Sequence, residues 1–189
     1  MSKNGLSQTA NKRLINEERI LKNEKDKDRL FVAVPREING TPVYKTWDLI
    51  FLLRDTKSLY KDKVIEAEIT FPEDYPLRPP SLTFLTKMFH PNIYVNGKVC
   101  ISILEEDNPG PLGCGTPEDR WSPVQNIRTV ALSLVILLDN PNPDSPANVD
   151  ASKMFRDSRK EYEEKVSKLI EEESRKSMMK EKVINILNK

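Results

Sequence analysis

One short segment constrains the fold more than any other part of the chain. Ile65, Ala67, Ile69 and Phe71 alternate with Glu66, Glu68 and Thr70. A two-residue period, apolar on one side and carboxylate or hydroxyl on the other, describes a strand with one buried and one wet face. Three further runs supply its partners. Residues 30–34 form an apolar run closed by Pro35. Trp47, Leu49, Phe51 and Leu53 alternate beyond a polar connection at Asn39-Gly40. Residues 81–85 follow the prolines Pro76, Pro79 and Pro80. Short connections between four successive strands predict an antiparallel meander.

Helical periodicity brackets this sheet. Residues 7–25 place Ala10, Leu14 and Leu21 on one face, with Lys12 and Arg13 on the polar side. Val124, Ile127, Ala131, Leu134 and Leu138 recur at helical spacing before Pro141. Further helices are predicted over 147–157 and 158–174. In 178–187 apolar residues are spaced among lysines in a pattern that allows another helix. Helix, four strands, a long irregular stretch and then helices make an α+β arrangement. We therefore expect a polar tail (1–6), one domain (7–170) and a charged, helix-compatible extension (171–189).

Composition excludes several function classes. The 189 residues carry a formal net charge of +1, with no basic stripe of the kind that draws in nucleic acid. No run approaches the roughly 20 apolar residues of a membrane span, and the first residues lack the apolar stretch of a secretory signal. Two cysteines and one histidine fall short of the roughly four ligands a zinc ion takes, so no metal is expected. Reduced thiols fit a cytoplasmic protein.

The stretch from 89 to 122 has little periodicity, yet it holds the histidine, both cysteines and many turn residues. A connection of that length inside a domain is usually functional. It reads His90-Pro91-Asn92-Ile93-Tyr94-Val95-Asn96-Gly97-Lys98-Val99-Cys100. His-Pro-Asn, then a glycine, then a cysteine eight residues past the asparagine closely resembles the active-site signature of ubiquitin-conjugating enzymes. Several ordered motifs extend the resemblance over roughly 7–170. These are Thr70-Phe71-Pro72-Glu73-Asp74-Tyr75-Pro76-Leu77-Arg78-Pro79-Pro80, Arg120-Trp121-Ser122-Pro123-Val124-Gln125, Pro141-Asn142 and Ala147-Asn148-Val149-Asp150-Ala151. Between Cys100 and Trp121 the chain is longer than the family's minimal form. Glu105-Glu106-Asp107 opens this stretch, which resembles the acidic insert of members that build lysine-48-linked chains, of the endoplasmic-reticulum quality-control and cell-cycle types.

The resemblance implies a division of labour. Cys100 accepts ubiquitin from an activating enzyme as a thioester and passes it to a lysine amine. An ordinary thiol, with a pKa of about 8.5, is already a few per cent thiolate at neutral pH. Asn92 would donate a hydrogen bond to the oxyanion that develops on the thioester carbon; its simpler reading is that it holds a turn. His90 invites a Cys–His dyad, whereas the family pattern assigns it to holding the loop, with Pro91 and Tyr94 as further support. The acid that handles the lysine proton is open. The family often has one where Ser145 stands here, leaving Asp144, Glu105, Glu106 and Asp107 as candidates. Cys114 reads as an incidental loop residue or a second thiol.

Implied partners are ubiquitin, its activating enzyme and a ligase of RING type, docking on Lys12, Arg13, Leu77, Trp121, Pro123 and Val124. No bound cofactor is implied, because the activating enzyme consumes the ATP. The acidic-insert resemblance adds recruitment to the cytosolic face of the endoplasmic reticulum. The chain departs from the family pattern at Leu53-Arg54-Asp55 and Tyr60-Lys61-Asp62-Lys63 and between Pro35 and Thr46. These positions lie away from the Cys100 loop and bear on partner choice. The alternative function is a non-catalytic scaffold of the same fold that binds ubiquitin or a ligase; its usual mark is a missing cysteine, and Cys100 is present. Conjugation of another small modifier and thiol hydrolysis are the remaining readings.

Overall fold

Ser7 caps the first helix, its Oγ accepting the Ala10 N–H at 3.1 Å. In this computed structural model, which describes residues 5–23, 30–53, 58–106 and 117–177, helix α1 (Gln8–Asn23) precedes a four-stranded sheet. The strands are β1 (Phe31–Ile38), β2 (Thr41–Leu52), β3 (Val64–Thr70) and β4 (Ser81–Phe84), antiparallel in the order β1-β2-β3-β4. Helices α2 (Ile127–Asp139), α3 (Val149–Asp157) and α4 (Arg159–Lys176) follow. The α+β meander is as expected.

Two strand boundaries differ from expectation. Pro35 does not close β1, which runs on to Ile38. The Asn39-Gly40 connection is a tight hairpin, with φ of 52° and 73°, that joins β1 directly to a β2 beginning at Thr41. Positive φ at both central residues is the turn geometry whose twist matches the flanking strands, and Asn-Gly supplies it at little cost. Proline is tolerated because β1 is an edge strand, and the register shifts between Pro35 and Arg36.

The alternation in β3 works as predicted. Ile65, Ala67 and Ile69 are at most 1 % exposed and join Trp47, Leu49 and Phe51 of β2 in the main core, which α1 and α2 cover with Ala10, Leu14, Val130, Ala131 and Leu134. Leu6 also belongs to this core, so the expected polar tail already contains a buried anchor. An aromatic series, Tyr44–Trp47–Phe71–Tyr75–Trp121, runs through it with ring centroids 4.8–6.2 Å apart.

The helical readings need three adjustments. Helix α2 starts at Ile127, not Val124. Asn126 caps it by accepting the Thr129 N–H, and the Thr129 hydroxyl accepts the Asn126 N–H in return. Val124 is 80 % exposed and is no part of the helix's buried face. Helix α3 begins at Val149 because Asn148 caps it through the Ala151 N–H at 3.1 Å. Helix α4 runs two residues past its expected end at 174, to Lys176, and so beyond the expected domain limit at 170. There the Ser174 hydroxyl accepts the Val64 N–H at 3.0 Å, and Glu171 pairs with Lys63. Asp107, Cys114, Arg54, Asp55 and the predicted helix over 178–187 lie outside the described residues.

Candidate active site

The loop from His90 to Cys100 is held at both ends. His90 is fully buried. Its Nδ1 accepts the Asn92 N–H at 3.0 Å, and its Nε2 lies 3.0 Å from the Leu137 carbonyl, which can only accept, so Nε2 carries the proton. Burial lowers its pKa from 6.5 to about 4, outweighing the Leu137 hydrogen bond, so the ring is neutral. Both ring nitrogens are engaged by backbone, which ties the loop to the last turns of α2. The ring holds the loop here and makes no dyad.

Pro91 is buried, and its carbonyl accepts N–H groups from Ala147 (2.8 Å) and Asn148 (2.9 Å). The Asn92 carbonyl accepts the Cys100 N–H at 2.9 Å, so the two residues lie side by side across a narrow turn. The Asn92 side chain, 3 % exposed, faces the 141–148 loop. Its amide donates to the carbonyls of Asn142 (2.8 Å) and Ser145 (3.2 Å), and its oxygen accepts the Asn142 N–H (2.8 Å). In this structure, then, Asn92 connects the cysteine loop to the loop before α3. The Ser152 hydroxyl adds a bond to the Pro143 carbonyl at 2.9 Å. The tip of this segment, Asp144 and Ser145, is exposed, with the Asp144 N–H held by the Asn142 side chain at 3.0 Å.

Between Asn92 and Cys100 the chain reverses at Gly97, whose φ is 85°. A Cβ there would lie 2.2 Å from the Phe84 carbonyl oxygen, and the Gly97 carbonyl accepts the Phe84 N–H at 2.8 Å. Only glycine lets the turn sit this close to β4. Tyr94 pairs with Lys98 and Gly97 through the backbone, and its side chain is 46 % exposed.

Cys100 is half-buried and, among the described residues, in no disulfide. A 3-10 turn at Ser102–Leu104 follows, and the Glu105 carbonyl then accepts the Trp121 N–H at 3.0 Å, closing the base of the insert. Glu105 is half-buried. Glu106 is exposed and near enough to Arg78 to help raise that guanidinium's pKa, after the larger effect of Asp74.

The expected docking residues fall into two groups. Lys12, Leu77 (71 % exposed), Pro123 and Val124 are presented to solvent. Arg13 and Trp121 instead build the platform beneath them. Arg13 donates to Glu17 (2.5 Å), the Gln125 carbonyl (2.7 Å) and the Pro123 carbonyl (3.3 Å). The buried Trp121 indole donates to the Pro76 carbonyl at 2.8 Å. Sequence reasoning missed Glu17 and Tyr75 at the centre of this platform. The Glu17 carboxylate, 5 % exposed, accepts Arg13, the Tyr75 hydroxyl (2.7 Å) and the Ile127 N–H (2.9 Å), binding α1 to both loops at once. Burial, then the neighbouring Glu17 charge, pushes the Tyr75 hydroxyl above its ordinary pKa. The available signal was an acid three residues after Leu14 and four before Leu21, on the apolar face of α1.

Among the described residues no cluster of three or more His, Cys, Asp or Glu could hold a metal, and no helix is long and apolar enough to cross a membrane.

Comparison with known proteins matches this arrangement. Residues 14–170 match the family model for ubiquitin-conjugating enzymes. A probable ubiquitin-conjugating enzyme E2 of Encephalitozoon cuniculi is 51% identical over 152 residues, covering 80% of this chain and 70% of the relative. Ubiquitin-conjugating enzyme E2 G2 of Homo sapiens is 50% identical over 111 residues, 59% of this chain and 67% of that protein. Ubiquitin-conjugating enzyme E2 14 of Arabidopsis thaliana is 44% identical over 113 residues, 60% and 68% respectively. With an α1–meander–helices fold, a cysteine loop anchored at His90 and Asn92, and a family match over most of its length, the chain belongs to the ubiquitin-conjugating enzyme family.

Proposed function

We propose that Cys100 is the residue that carries ubiquitin. The observation behind this reading is its position beside Asn92 in a loop fixed from both ends by backbone bonds. In the first step the Cys100 thiolate attacks the thioester joining ubiquitin to the activating enzyme, and that enzyme's thiolate leaves. In the second a lysine amine attacks the Cys100 thioester, an oxyanion forms, and Cys100 thiolate leaves as the amide bond forms. No cofactor bound to this chain takes part, since ATP is consumed upstream.

Asn92 serves both loop and chemistry in this reading. The longer of its amide bonds, to the Ser145 carbonyl at 3.2 Å, is the one exchanged for the oxyanion. Such a donor is worth about 100- to 1000-fold in rate. Asp144 is the acid we favour for receiving the lysine proton, because its loop is pinned to Asn92, whereas Glu106 lies within electrostatic reach of the Arg78 cation. The acidic insert supports building lysine-48-linked chains with a RING-type ligase in the cytoplasm, on the cytosolic face of the endoplasmic reticulum.

Incubation with activating enzyme, ATP and ubiquitin followed by a non-reducing gel tests the core of this reading. A thiol-sensitive adduct is expected, and Cys100→Ala should abolish it. No adduct under conditions that charge a control enzyme would overturn the reading in favour of a non-catalytic scaffold. Asn92→Ala should still load but discharge to lysine about 100-fold more slowly. Equal discharge rates would leave Asn92 its loop-holding role alone. If the linkage is as proposed, ubiquitin stripped of its lysine-48 acceptor should stop chain growth.

A further inference from the structure

The segment that carries Asp144 is pinned at both ends and open in the middle. At one end the Asn92 side chain bonds the Asn142 carbonyl and N–H, each at 2.8 Å. At the other the Pro91 carbonyl accepts the Ala147 and Asn148 N–H groups. Between them Asp144, Ser145 and Pro146 are exposed. A carboxylate on such a tip swings with its backbone unless the peptide that carries it is held.

That peptide, joining Pro143 to Asp144, is held from both sides. Its N–H donates to the Asn142 side-chain oxygen at 3.0 Å, and its carbonyl accepts the Ser152 hydroxyl at 2.9 Å, from nine residues further along the chain. A peptide unit is planar, so engaging both polar groups fixes the plane from which the Asp144 side chain departs. Helix α3 makes a firm mount for the hydroxyl. Asn148 caps it through the Ala151 N–H, and the Ser152 N–H donates to the Asn148 carbonyl at 3.0 Å. A serine within a helix commonly faces solvent or bonds the carbonyl one turn earlier. Ser152 gives its hydroxyl to the loop instead.

The ties on this loop differ in what happens to them during transfer. In the proposed mechanism the Asn92 amide releases the Ser145 carbonyl, 3.2 Å away, to serve the oxyanion. Among the described residues, the Ser152 bond is then the one hydrogen bond from outside the segment that still holds it between Asn142 and Ala147. The same step makes the greatest demand on Asp144. As the lysine nitrogen bonds the thioester carbon, its proton passes to the carboxylate. The carbon–sulfur bond then breaks, and its electron pair leaves with the Cys100 sulfur.

We propose that Ser152 is a positioning residue for transfer to lysine, holding the Pro143 carbonyl so that Asp144 stays aimed at the attacking nitrogen while Asn92 serves the oxyanion. The proposal rests on the reading of Asp144 as proton acceptor, and Ser152 acts on the reaction only through Pro143.

A preformed Cys100–ubiquitin thioester, chased with free lysine or with hydroxylamine, tests this. Hydroxylamine is already unprotonated at neutral pH and has little need of a proton acceptor. Ser152→Ala should load at the parental rate, discharge to lysine about tenfold more slowly and discharge to hydroxylamine within about twofold of the parent, because a placed proton acceptor contributes about 100-fold or more. Ser152→Thr, which keeps the hydroxyl, should restore the lysine rate. Should the alanine variant prove unstable in urea, Ser152→Cys, of similar size and a weak donor, should reproduce the selective loss. In an Asp144→Asn background Ser152→Ala should cost little more, since the group it positions is already gone. Equal slowing with both nucleophiles would overturn the proposal, as would a parental lysine rate in Ser152→Ala beside a slow Asp144→Asn. A parental lysine rate in Asp144→Asn would overturn the reading beneath it, and the proposal with it.

Discussion

Replacing Gly97 by alanine should destabilise the protein by about 4 kcal/mol and disturb the site more than its distance in sequence suggests. Three contributions set that figure. With φ at 85°, an L-residue sits in the left-handed region at a cost of about 1–2 kcal/mol. The new Cβ would meet the Phe84 carbonyl oxygen at 2.2 Å and the Thr83 Cγ2 at 3.2 Å. Backbone oxygen cannot rotate away as a side chain would, so the turn must move by about 1 Å, a strain of about 1–3 kcal/mol by analogy with overpacked cores. That shift breaks or stretches the 2.8 Å bond from the Phe84 N–H to the Gly97 carbonyl, worth about 1 kcal/mol. Against these, alanine restricts the unfolded chain and returns about 0.4–1 kcal/mol. Urea denaturation of both proteins, with equal m-values confirmed, measures the difference. Because Gly97 lies between the two ends of the Asn92–Cys100 turn, thioester loading should fall as well. A stability loss below about 1 kcal/mol would refute the idea that β4 and this turn are rigidly apposed.

Two further expectations concern pH and docking. The pKa of His90 is lowered from 6.5 to about 4, so its contribution to stability is complete above pH 6.5 and is lost as pH falls towards 4. The linked free energy is about 3 kcal/mol, so the stability gap between the parent and His90→Gln should narrow measurably over that interval; a constant gap would argue against a buried neutral ring. If Lys12, Leu77 and Val124 form the docking surface we expect, Lys12→Ala, Leu77→Ala and Val124→Ala should leave the urea midpoint nearly unchanged while weakening charging by the activating enzyme or ligase-stimulated discharge. Arg13→Ala and Glu17→Gln should lower stability and both activities together, because each removes bonds that join α1 to the 123–127 segment. Loss of activity without loss of stability in Glu17→Gln would instead indicate that Glu17 touches the partner.

Much of the fold was legible because its signals are local. The alternation in β3 and the helical spacing in α2 are imposed by a face that must be buried, and each is visible within a few residues. The order of motifs around Cys100 was legible only through its resemblance to a known family, in a stretch with little periodicity of its own. Pro35 misled because a missing N–H ends a central strand but not an edge strand, and which strand lies at the edge is a property of the assembled sheet. Val124 misled because its spacing fits the helix, while the Asn126–Thr129 cap, whose Asn126 stands two residues later, determines where the helix starts.

By itself the sequence determined the fold class, the family and the residue proposed to carry ubiquitin. Only the tertiary structure decided what the polar side chains do. Asn92 reaches residues 142 and 145, Arg13 and Glu17 reach residues 123–127, and Ser177 reaches Glu66. These bonds join segments fifty to more than a hundred positions apart, where no periodicity relates donor to acceptor. A polar group's partner is set by which loops the packed core brings within about 3 Å, and that distance exists only once the chain has folded.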